Sequence, residues 1–401
     1  MERSLFVKPK RQNFLAAFRR AGLKAYANAA INYCEALLRI PKPRTLPVSI
    51  DIVLTKACNL RCIFCISYGS LKNDRWMSFD LYERIARKLF PSALGLFICS
   101  GGEPFLYPRL RDALKLARQY RTMTTITSNG MLLNRKNAQW LVEDQSLHEL
   151  CISFDGATKG TLERIRRGAN FDTILENISY LTNLKKKAGV IYPRLWLRYV
   201  VMKSNATELP DVFQLCATHG LYKVDVKYLT VSNDIDFDES LHSHPELARE
   251  VFSEARRQAR DHRVGVQLPA LPGSSDRGRK CLDPWQFLQI DTDGSLRFCY
   301  QGWRQRLGFF DEDFESIWRG EHYQRIRRTI DSDKPYFPHC SDCSVRLGVN
   351  SESSHNQKID PETFLIPGLE QWQIAFNKRE EENALSFREL KSGVWREDNS
   401  Q

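Results

Sequence analysis

The sequence predicts an α/β protein whose main domain is a parallel sheet made of consecutive strand–helix units. From Pro47 onward, short apolar runs alternate with longer segments of helical periodicity, a pattern typical of strands joined by crossover helices. Six such units extend from Val48 to about Val231, and no internal repeat or low-complexity tract interrupts them. A chain of 401 residues also leaves room for a second, smaller domain.

Each element of this prediction rests on a separate stretch of the chain. The expected strands are 48–55, 94–100, 122–128, 149–155, 194–202 and 223–229. Helices are expected at 80–90 and 109–120 between the strands, and at 245–262 after the last one. Polar and glycine-rich motifs follow the first four strands, and ligands gather at this edge of a parallel sheet.

The net charge of +11 does not indicate a nucleic-acid-binding body, because most of it lies at the N-terminus. Residues 1–46 hold ten Lys and Arg against two Glu, and the remaining 355 residues carry only +3. Residues 12–40 have apolar side chains at roughly helical spacing, with basic ones between them. We therefore predict a basic amphipathic arm at 1–46, either packed on the domain or in contact with a membrane surface or a partner.

The eleven cysteines are expected to be reduced thiols in a cytoplasmic protein. The N-terminus is basic and interrupted by Pro9, so it does not read as a signal peptide. No run of eighteen apolar residues is present that could span a membrane.

Cys58, Cys62 and Cys65 place three thiols within eight positions directly after the first strand. Three thiolates can hold three irons of a cubane cluster and leave the fourth iron without a protein ligand. A structural zinc site needs a fourth ligand, and no His or Cys lies between Cys65 and Cys99. A zinc knuckle or a set of buried thiols remains the alternative.

With this Cys-x3-Cys-x-aromatic-Cys loop, in which Phe64 is the aromatic residue, the sequence resembles the radical S-adenosylmethionine (SAM) superfamily. The resemblance covers residues 47–232 and implies a partial (β/α)6 barrel. It implies a [4Fe–4S] cluster on the three cysteines, with the amine and carboxylate of SAM on the open iron. One electron, from an external donor of the flavodoxin or ferredoxin type, then cleaves SAM to a 5′-deoxyadenosyl radical that abstracts hydrogen from substrate.

The motifs at the other strand ends fit this resemblance. Gly101 and Gly102 allow close approach of the backbone, and Glu103 can accept from the ammonium group of SAM. Arg198 is a candidate for the SAM carboxylate, because a charged side chain within an apolar strand needs a partner. Four further candidates for the ribose or carboxylate, which ordinary turn chemistry explains equally well, are Ser128, Asn129, Ser153 and Asp155.

A second group of cysteines begins at Cys281. Residues 287–300 read as a β-hairpin with a DTDG turn, which delivers Cys299 from its second strand, and Cys340 and Cys343 form a CxxC pair. A zinc ribbon is the alternative, although it usually has CxxC in both halves. The spacing resembles the SPASM and twitch extensions of radical SAM enzymes. With four cysteines, the twitch form with one auxiliary [4Fe–4S] cluster is the nearer match.

A cluster with four cysteine ligands has no open iron, so we expect this one to accept an electron from a substrate radical. That implies an oxidoreductase acting on a small molecule, a sugar or a peptide. A peptide maturase, an epimerase and a non-catalytic zinc protein remain alternatives. An epimerase needs a hydrogen-atom donor, for which Cys99, beside the SAM turn, is the candidate. Cys99, Cys151 and Cys216 otherwise read as small buried hydrophobes.

The predicted organisation therefore has five parts. No nucleic-acid partner and no particular oligomeric state is indicated. The parts are the N-terminal arm at 1–46, the radical SAM core at 47–232, a connecting segment at 233–280, the auxiliary-cluster domain at 281–348 and a polar C-terminal helix and tail at 349–401.

Overall fold

The computed structural model describes residues 11–65, 76–99, 101–229, 237–272, 281–300, 306–310, 313–337 and 340 of the chain. Cys343 and the predicted helix and tail of residues 349–401 lie outside the described residues.

All six predicted strands are present, with bounds somewhat shorter than the apolar runs. The strands are β1 (Ser49–Ile52), β2 (Arg61–Cys62), β3 (Gly95–Ile98), β4 (Met123–Ser128), β5 (Glu149–Ser153), β6 (Arg166–Arg167), β7 (Arg194–Val201), β8 (Lys223–Tyr228), β9 (Gly265–Gln267), β10 (Phe287–Ile290) and β11 (Leu296–Arg297). Nine of them form one sheet in the order β11-β10-β1-β3-β4-β5-β7-β8-β9, while β2 and β6 form a separate antiparallel pair. Every pairing in the large sheet is parallel except the β10–β11 hairpin. The fold is the predicted α/β partial barrel.

Helices connect the parallel strands, and side-chain caps fix where several of them begin. Four helices begin at a side chain that accepts a backbone N–H bond, and these capping residues are Ser78, Asn134, Thr158 and Asn170. The helices are α1 (Arg11–Leu37), α2 (Phe79–Leu89), α3 (Leu110–Gln119), α4 (Arg135–Asp144), α5 (Lys159–Ile165), α6 (Phe171–Ala188), α7 (Val212–His219), α8 (Pro245–Asp261), α9 (Asp283–Gln286), α10 (Phe314–Trp318) and α11 (Glu321–Thr329). None of the helices in the described part of the chain is long and apolar enough to cross a membrane.

The two faces of the sheet differ in chemistry, because side chains alternate along each strand. One face packs apolar side chains such as Ile50, Ile126 and Val226 into the main core. The opposite face carries buried polar and charged side chains; they include Asp51, Thr125, Arg198, Asp225 and Gln289. Buried charges must be paired or hydrogen-bonded, so this polar face is where a site is expected.

Helix α1 packs in a way that the sequence did not predict. The helix is interrupted at Gly22, whose φ of 78° is not helical. From there on, the buried side includes Ala25, Ala29 and Ala36, together with Tyr26 from the predicted apolar pattern. The predicted apolar residues Leu23, Ile31, Leu37 and Leu38 are instead exposed. The apolar pattern therefore marked the helix correctly, but of its described members only Tyr26 lies on the packed face.

The predicted hairpin is present, and it extends the main sheet. Strand β10 pairs in parallel with β1, from Ser49 opposite Phe287 to Ile52 opposite Ile290. At the turn, Gly294 has a φ of 84° and donates its N–H to the carbonyl of Asp291 at 2.9 Å. The C-terminal segment is thus joined to the core sheet by a backbone ladder.

Candidate functional site

The cysteine loop follows β1 after a short connecting segment. Cys62 lies on β2, which pairs with β6 so that Cys62 is opposite Arg166. The Cys65 amide donates to the Cys62 carbonyl at 3.0 Å. Cys58, Cys62 and Cys65 are all partly exposed, in contrast to the fully buried Cys151 and Cys216. The loop therefore presents its thiols at the carboxyl edge of the sheet.

The glycine turn after β3 packs backbone against backbone. The amide of Gly102 donates to the Thr55 carbonyl and that of Glu103 donates to the Ala57 carbonyl, both at 2.7 Å. A Cβ on Gly102 would lie 1.8 Å from the Ala57 oxygen, and one on Gly101 would lie 2.5 Å from the Thr55 oxygen. Glycine is required here because the turn contacts the strand exit that leads to the cysteines.

Glu103 is the centre of a buried hydrogen-bond cluster. Its carboxylate accepts from the Ser128 hydroxyl and from the Asn129 amide, both at 2.8 Å. The Asn129 side chain donates to Asn59 at 2.8 Å and lies 4.0 Å from the sulfur of Cys58. Burial raises the pKa of Glu103 to about 7. Three of the predicted motifs are thus brought together, as their positions at strand ends indicated.

Asp155, after β5, is also buried, and it binds Arg166. The carboxylate accepts from the Val200 amide at 2.7 Å and forms an ion pair with Arg166 at 2.6 Å. The same guanidinium lies 3.8 Å from the sulfur of Cys62 and 5.5 Å from the ring centre of Phe64. The sequence gives no signal for Arg166 as a site residue, since no local pattern distinguishes it among 59 Lys and Arg residues.

Arg198 lies within a strand, where a charged side chain needs a partner. That partner is another side chain of the protein. Its guanidinium lies 3.3 Å from the Asp225 carboxylate, which Lys227 approaches at 3.1 Å. The register places Arg198 between Ser153 on β5 and Asp225 on β8. This group lies on the polar face of the sheet, level with the end of β5.

Cys99 lies on the same polar face, at the end of β3. Its amide donates to Asp51 at 3.3 Å and its sulfur lies 3.9 Å from the Thr125 carbonyl. Phe287 and Tyr300 pack beside it. Burial raises the pKa of this thiol well above its ordinary value. The side chain is therefore a neutral S–H group.

Three of the four predicted auxiliary cysteines are described. Cys281, Cys299 and Cys340 are buried and contribute to the main apolar core. The Cys281 amide donates to Asp331 at 3.1 Å, and the Cys340 amide donates to Phe337 at 2.9 Å. The hairpin and the segment around Cys340 thus both contribute to the main apolar core, and the convergence of the four cysteines stays a prediction.

A buried ion-pair network joins the cysteine loop to the hairpin. Lys56, two residues before Cys58, lies 3.1 Å from Asp291 at the end of β10. Asp291 also binds Arg297 at 2.8 Å. Gln289 on β10 donates to Asp51 on β1 at 2.8 Å. The sequence offered no signal for this network, because it depends on the pairing of β1 with β10.

The donor set of the cysteine loop suits an iron–sulfur cluster. Burial raises the pKa of Cys58 to about 12 and that of Cys62 to about 11. Ionised thiolates here therefore need a compensating cation, such as cluster iron. The Leu60 amide, 3.4 Å from the Cys58 sulfur, and the Arg166 guanidinium point at the sulfurs as hydrogen-bond donors. Within the described ranges, no group of three or more His, Cys, Asp or Glu side chains is arranged to hold a metal ion.

Comparison with protein-family models finds two matches in the chain. Residues 52–216 match the Radical SAM superfamily, and residues 281–344 match an iron–sulfur cluster-binding domain, SPASM.

Several similar proteins are identical to the chain at about a quarter of the positions over the length that matches. One is the tungsten-containing aldehyde ferredoxin oxidoreductase cofactor-modifying protein of Pyrococcus furiosus, 24% identical over 73% of this chain and 86% of that protein. The antilisterial bacteriocin subtilosin biosynthesis protein AlbA of Bacillus subtilis is 22% identical over 78% of this chain and 70% of its own. The PqqA peptide cyclase of Bradyrhizobium diazoefficiens is 23% identical over 75% of this chain and 80% of its own.

Two solved structures resemble the fold at low sequence identity. Streptococcus suis SuiB bound to precursor peptide SuiA has a TM-score of 0.59 and 16% identity, covering 80% of this chain and 74% of that one. AnSMEcpe with bound AdoMet has a TM-score of 0.56 and 18% identity, covering 82% of this chain and 95% of that one.

Proposed function

Because the chain belongs to the radical SAM superfamily and carries a SPASM-type iron–sulfur domain, we propose that it oxidises a peptide substrate on the polar face of its sheet. The observation that carries the proposal is the assembly of the cysteine loop, the Glu103 cluster and Arg166 at one edge of this sheet. The cofactors of the chain are a [4Fe–4S] cluster, SAM and an auxiliary [4Fe–4S] cluster. When bound, the first cluster and SAM supply a 5′-deoxyadenosyl radical that abstracts hydrogen from the substrate.

We assign the SAM-binding cluster to Cys58, Cys62 and Cys65. Arg166 favours the thiolate form of Cys62, since a cation near a thiolate lowers its energy. Asp155 holds Arg166 in that position through their 2.6 Å ion pair. Phe64 packs beside Arg166, whose guanidinium lies 5.5 Å from its ring centre.

For SAM, Glu103 is the acceptor of the ammonium group. Its carboxylate already has two donors at 2.8 Å, Ser128 and Asn129, which fix its orientation. Arg166 is a better candidate than Arg198 for the SAM carboxylate, because its guanidinium lies 3.8 Å from the sulfur of Cys62 in the cysteine loop. Ser153 lies at the end of β5, at the same edge of the sheet, and we assign it as a ribose contact.

The auxiliary cluster is assigned to Cys281, Cys299, Cys340 and Cys343. Its role is to take the electron that a substrate radical must lose to complete a two-electron oxidation. An external donor of the flavodoxin or ferredoxin type supplies the electron that starts each turnover.

A peptide is favoured as substrate by what similar proteins are named for. PqqA peptide cyclase and the SuiB complex with a precursor peptide both name peptides. The Pyrococcus protein is named for modifying a cofactor, so a small molecule is the second candidate.

The first experiment tests the cysteine loop without knowledge of the substrate. Anaerobically reconstituted protein is incubated with SAM and dithionite, and 5′-deoxyadenosine is measured by chromatography. We expect the wild type and a Cys34→Ala control, which alters an exposed cysteine on α1, to form it. A variant with Ala at Cys58, Cys62 and Cys65 should form none. Retention of the activity by that variant would refute the assignment.

The second experiment separates oxidation from epimerisation once a converted peptide is found. The reaction is run in deuterated water with wild type and Cys99→Ala, and product mass is followed. Oxidation predicts loss of two hydrogens, with one recovered in 5′-deoxyadenosine, in both proteins. Uptake of one solvent deuterium without loss of two mass units, abolished in Cys99→Ala, would show epimerisation instead.

A further inference from the structure

Helix α1 carries an apolar stripe that faces solvent. We define the stripe as Leu23, Ile31 and Leu37 together with Leu38, which directly follows the helix; their exposed fractions are 70%, 52%, 51% and 72%. At 100° per residue these positions fall within about 120° of arc. Four large apolar side chains on one helix face form a contiguous patch of the kind that marks an interaction surface.

The stripe cannot turn inward, because the opposite side of the helix is held by buried hydrogen bonds. Asn32 donates to the Trp285 carbonyl at 2.7 Å, and Asn28 donates to the Ser92 carbonyl at 2.9 Å. Glu35 accepts from the Arg44 amide at 2.6 Å and from Thr45. Rotating α1 to cover the leucines would break these bonds and bury the polar groups unpaired, which is costly. The exposure of the stripe is thus built into the fold.

Positive charge accompanies the stripe. Residues 1–46 carry ten Lys and Arg against two Glu, while the other 355 residues carry +3. Lys24, Lys42 and Arg44 are exposed. Arg39 lies between them in sequence, but it binds Asp331 and the Cys281 carbonyl and so contributes less to an outside partner.

We propose that the stripe and its basic surroundings dock on an anionic lipid surface. A helix that lies in a membrane interface has apolar side chains on one side and Lys and Arg around them. Each Lys or Arg near an anionic bilayer strengthens binding about fivefold. Two copies of the arm would repel each other through the same charge, so a lipid surface matches the segment better than a second copy of the chain.

The experiment is a vesicle flotation assay with the full-length protein loaded with its clusters. Vesicles contain phosphatidylcholine alone, or phosphatidylcholine with 30% phosphatidylglycerol. The test variant replaces all four stripe residues by Gln. The matched control is Ile191→Gln, because Ile191 is an equally exposed apolar residue (67%) away from α1. Iron content and thermal unfolding verify that each variant is folded.

We expect wild type and Ile191→Gln to float with anionic vesicles. The partition coefficient of the stripe variant should be lower by about a hundredfold or by an even larger factor, since each apolar side chain inserted contributes a few-fold or more. Raising the salt from 50 to 300 mM should weaken wild-type binding several-fold. Equal flotation of wild type and stripe variant would overturn the proposal. A wild-type dimer that the stripe variant dissociates, without any vesicle binding, would overturn it in favour of self-association.

Discussion

Arg327 on α11 links three segments of the chain, and its replacement by Met should destabilise the protein strongly. The buried guanidinium donates to the carbonyls of Pro284 at 2.9 Å, Pro41 at 3.1 Å and Trp318 at 2.8 Å. It also lies 4.5 Å from the centre of the Trp318 ring. Methionine retains much of the packing on that ring and removes all three hydrogen bonds.

The magnitude follows from these bonds. Each contributes about 1 to 1.5 kcal/mol net, and the bonds to Pro284 and Trp318 are buried while the one to Pro41 is partly buried. We therefore expect the free energy of unfolding to fall by about 3 to 5 kcal/mol, in line with the loss of one partner from a buried charged group. With an m-value of about 3 kcal/mol/M, the midpoint in urea should decrease by about 1 M or more.

Urea unfolding followed by tryptophan fluorescence measures the effect, since Trp285 and Trp318 are both close to Arg327. The matched control is Arg328→Met, which makes the same substitution at an exposed position of the same helix. The control should stay within about 0.5 kcal/mol of wild type. If Arg327→Met and Arg328→Met unfold at the same urea concentration, the three-carbonyl hydrogen bonds do not stabilise the fold as argued.

Three further predictions concern the glycine turn, the auxiliary cysteines and a partly buried lysine. Gly102→Ala should displace the cysteine loop and reduce the iron content, while Gly160→Ala, where an added Cβ meets nothing within 4 Å, should leave it unchanged; equal iron in both would contradict the steric argument. Replacing the four auxiliary cysteines by Ala should lower iron and sulfide by roughly half, and stoichiometric zinc in the wild type would count against it. Burial lowers the pKa of Lys185 to about 8, so between pH 8 and about 10.5 the unfolded chain binds more protons and stability should rise with pH. Lys185→Gln should lack that rise in thermal unfolding scans, and an identical pH profile for both proteins would reject the shift.

The sequence predicted the strands and strand ends well, because the alternation of apolar runs and helices is a local property. It placed Glu103 and Asn129 near Cys58, since carboxyl ends of neighbouring parallel strands meet at one edge. It did not predict Arg166 or the Lys56–Asp291 pair, because both depend on which strands pair and in what register.

The packed face of α1 was missed for a related reason. Apolar periodicity indicates an amphipathic helix, but on α1 hydrogen bonds from Asn28, Asn32 and Glu35 decide which side packs. The partners of Asn28 and Asn32 include Ser92 and Trp285, which lie far along the chain. The pattern of leucines therefore reported a second surface of the helix and not the core-facing one.

The pairing of β10 with β1 has a consequence for how such chains can be recombined. The C-terminal domain begins by adding a strand to the sheet that carries the cysteine loop, and the Lys56–Asp291 ion pair links the two at that edge. A chimera that exchanges this domain at residue 281 would have to supply a matching strand and a carboxylate at the position of Asp291. The C-terminal domain is therefore not an independent module that evolution or engineering can replace freely. The distance between the two cysteine groups is set by the spacing of paired strands and not by a hinge.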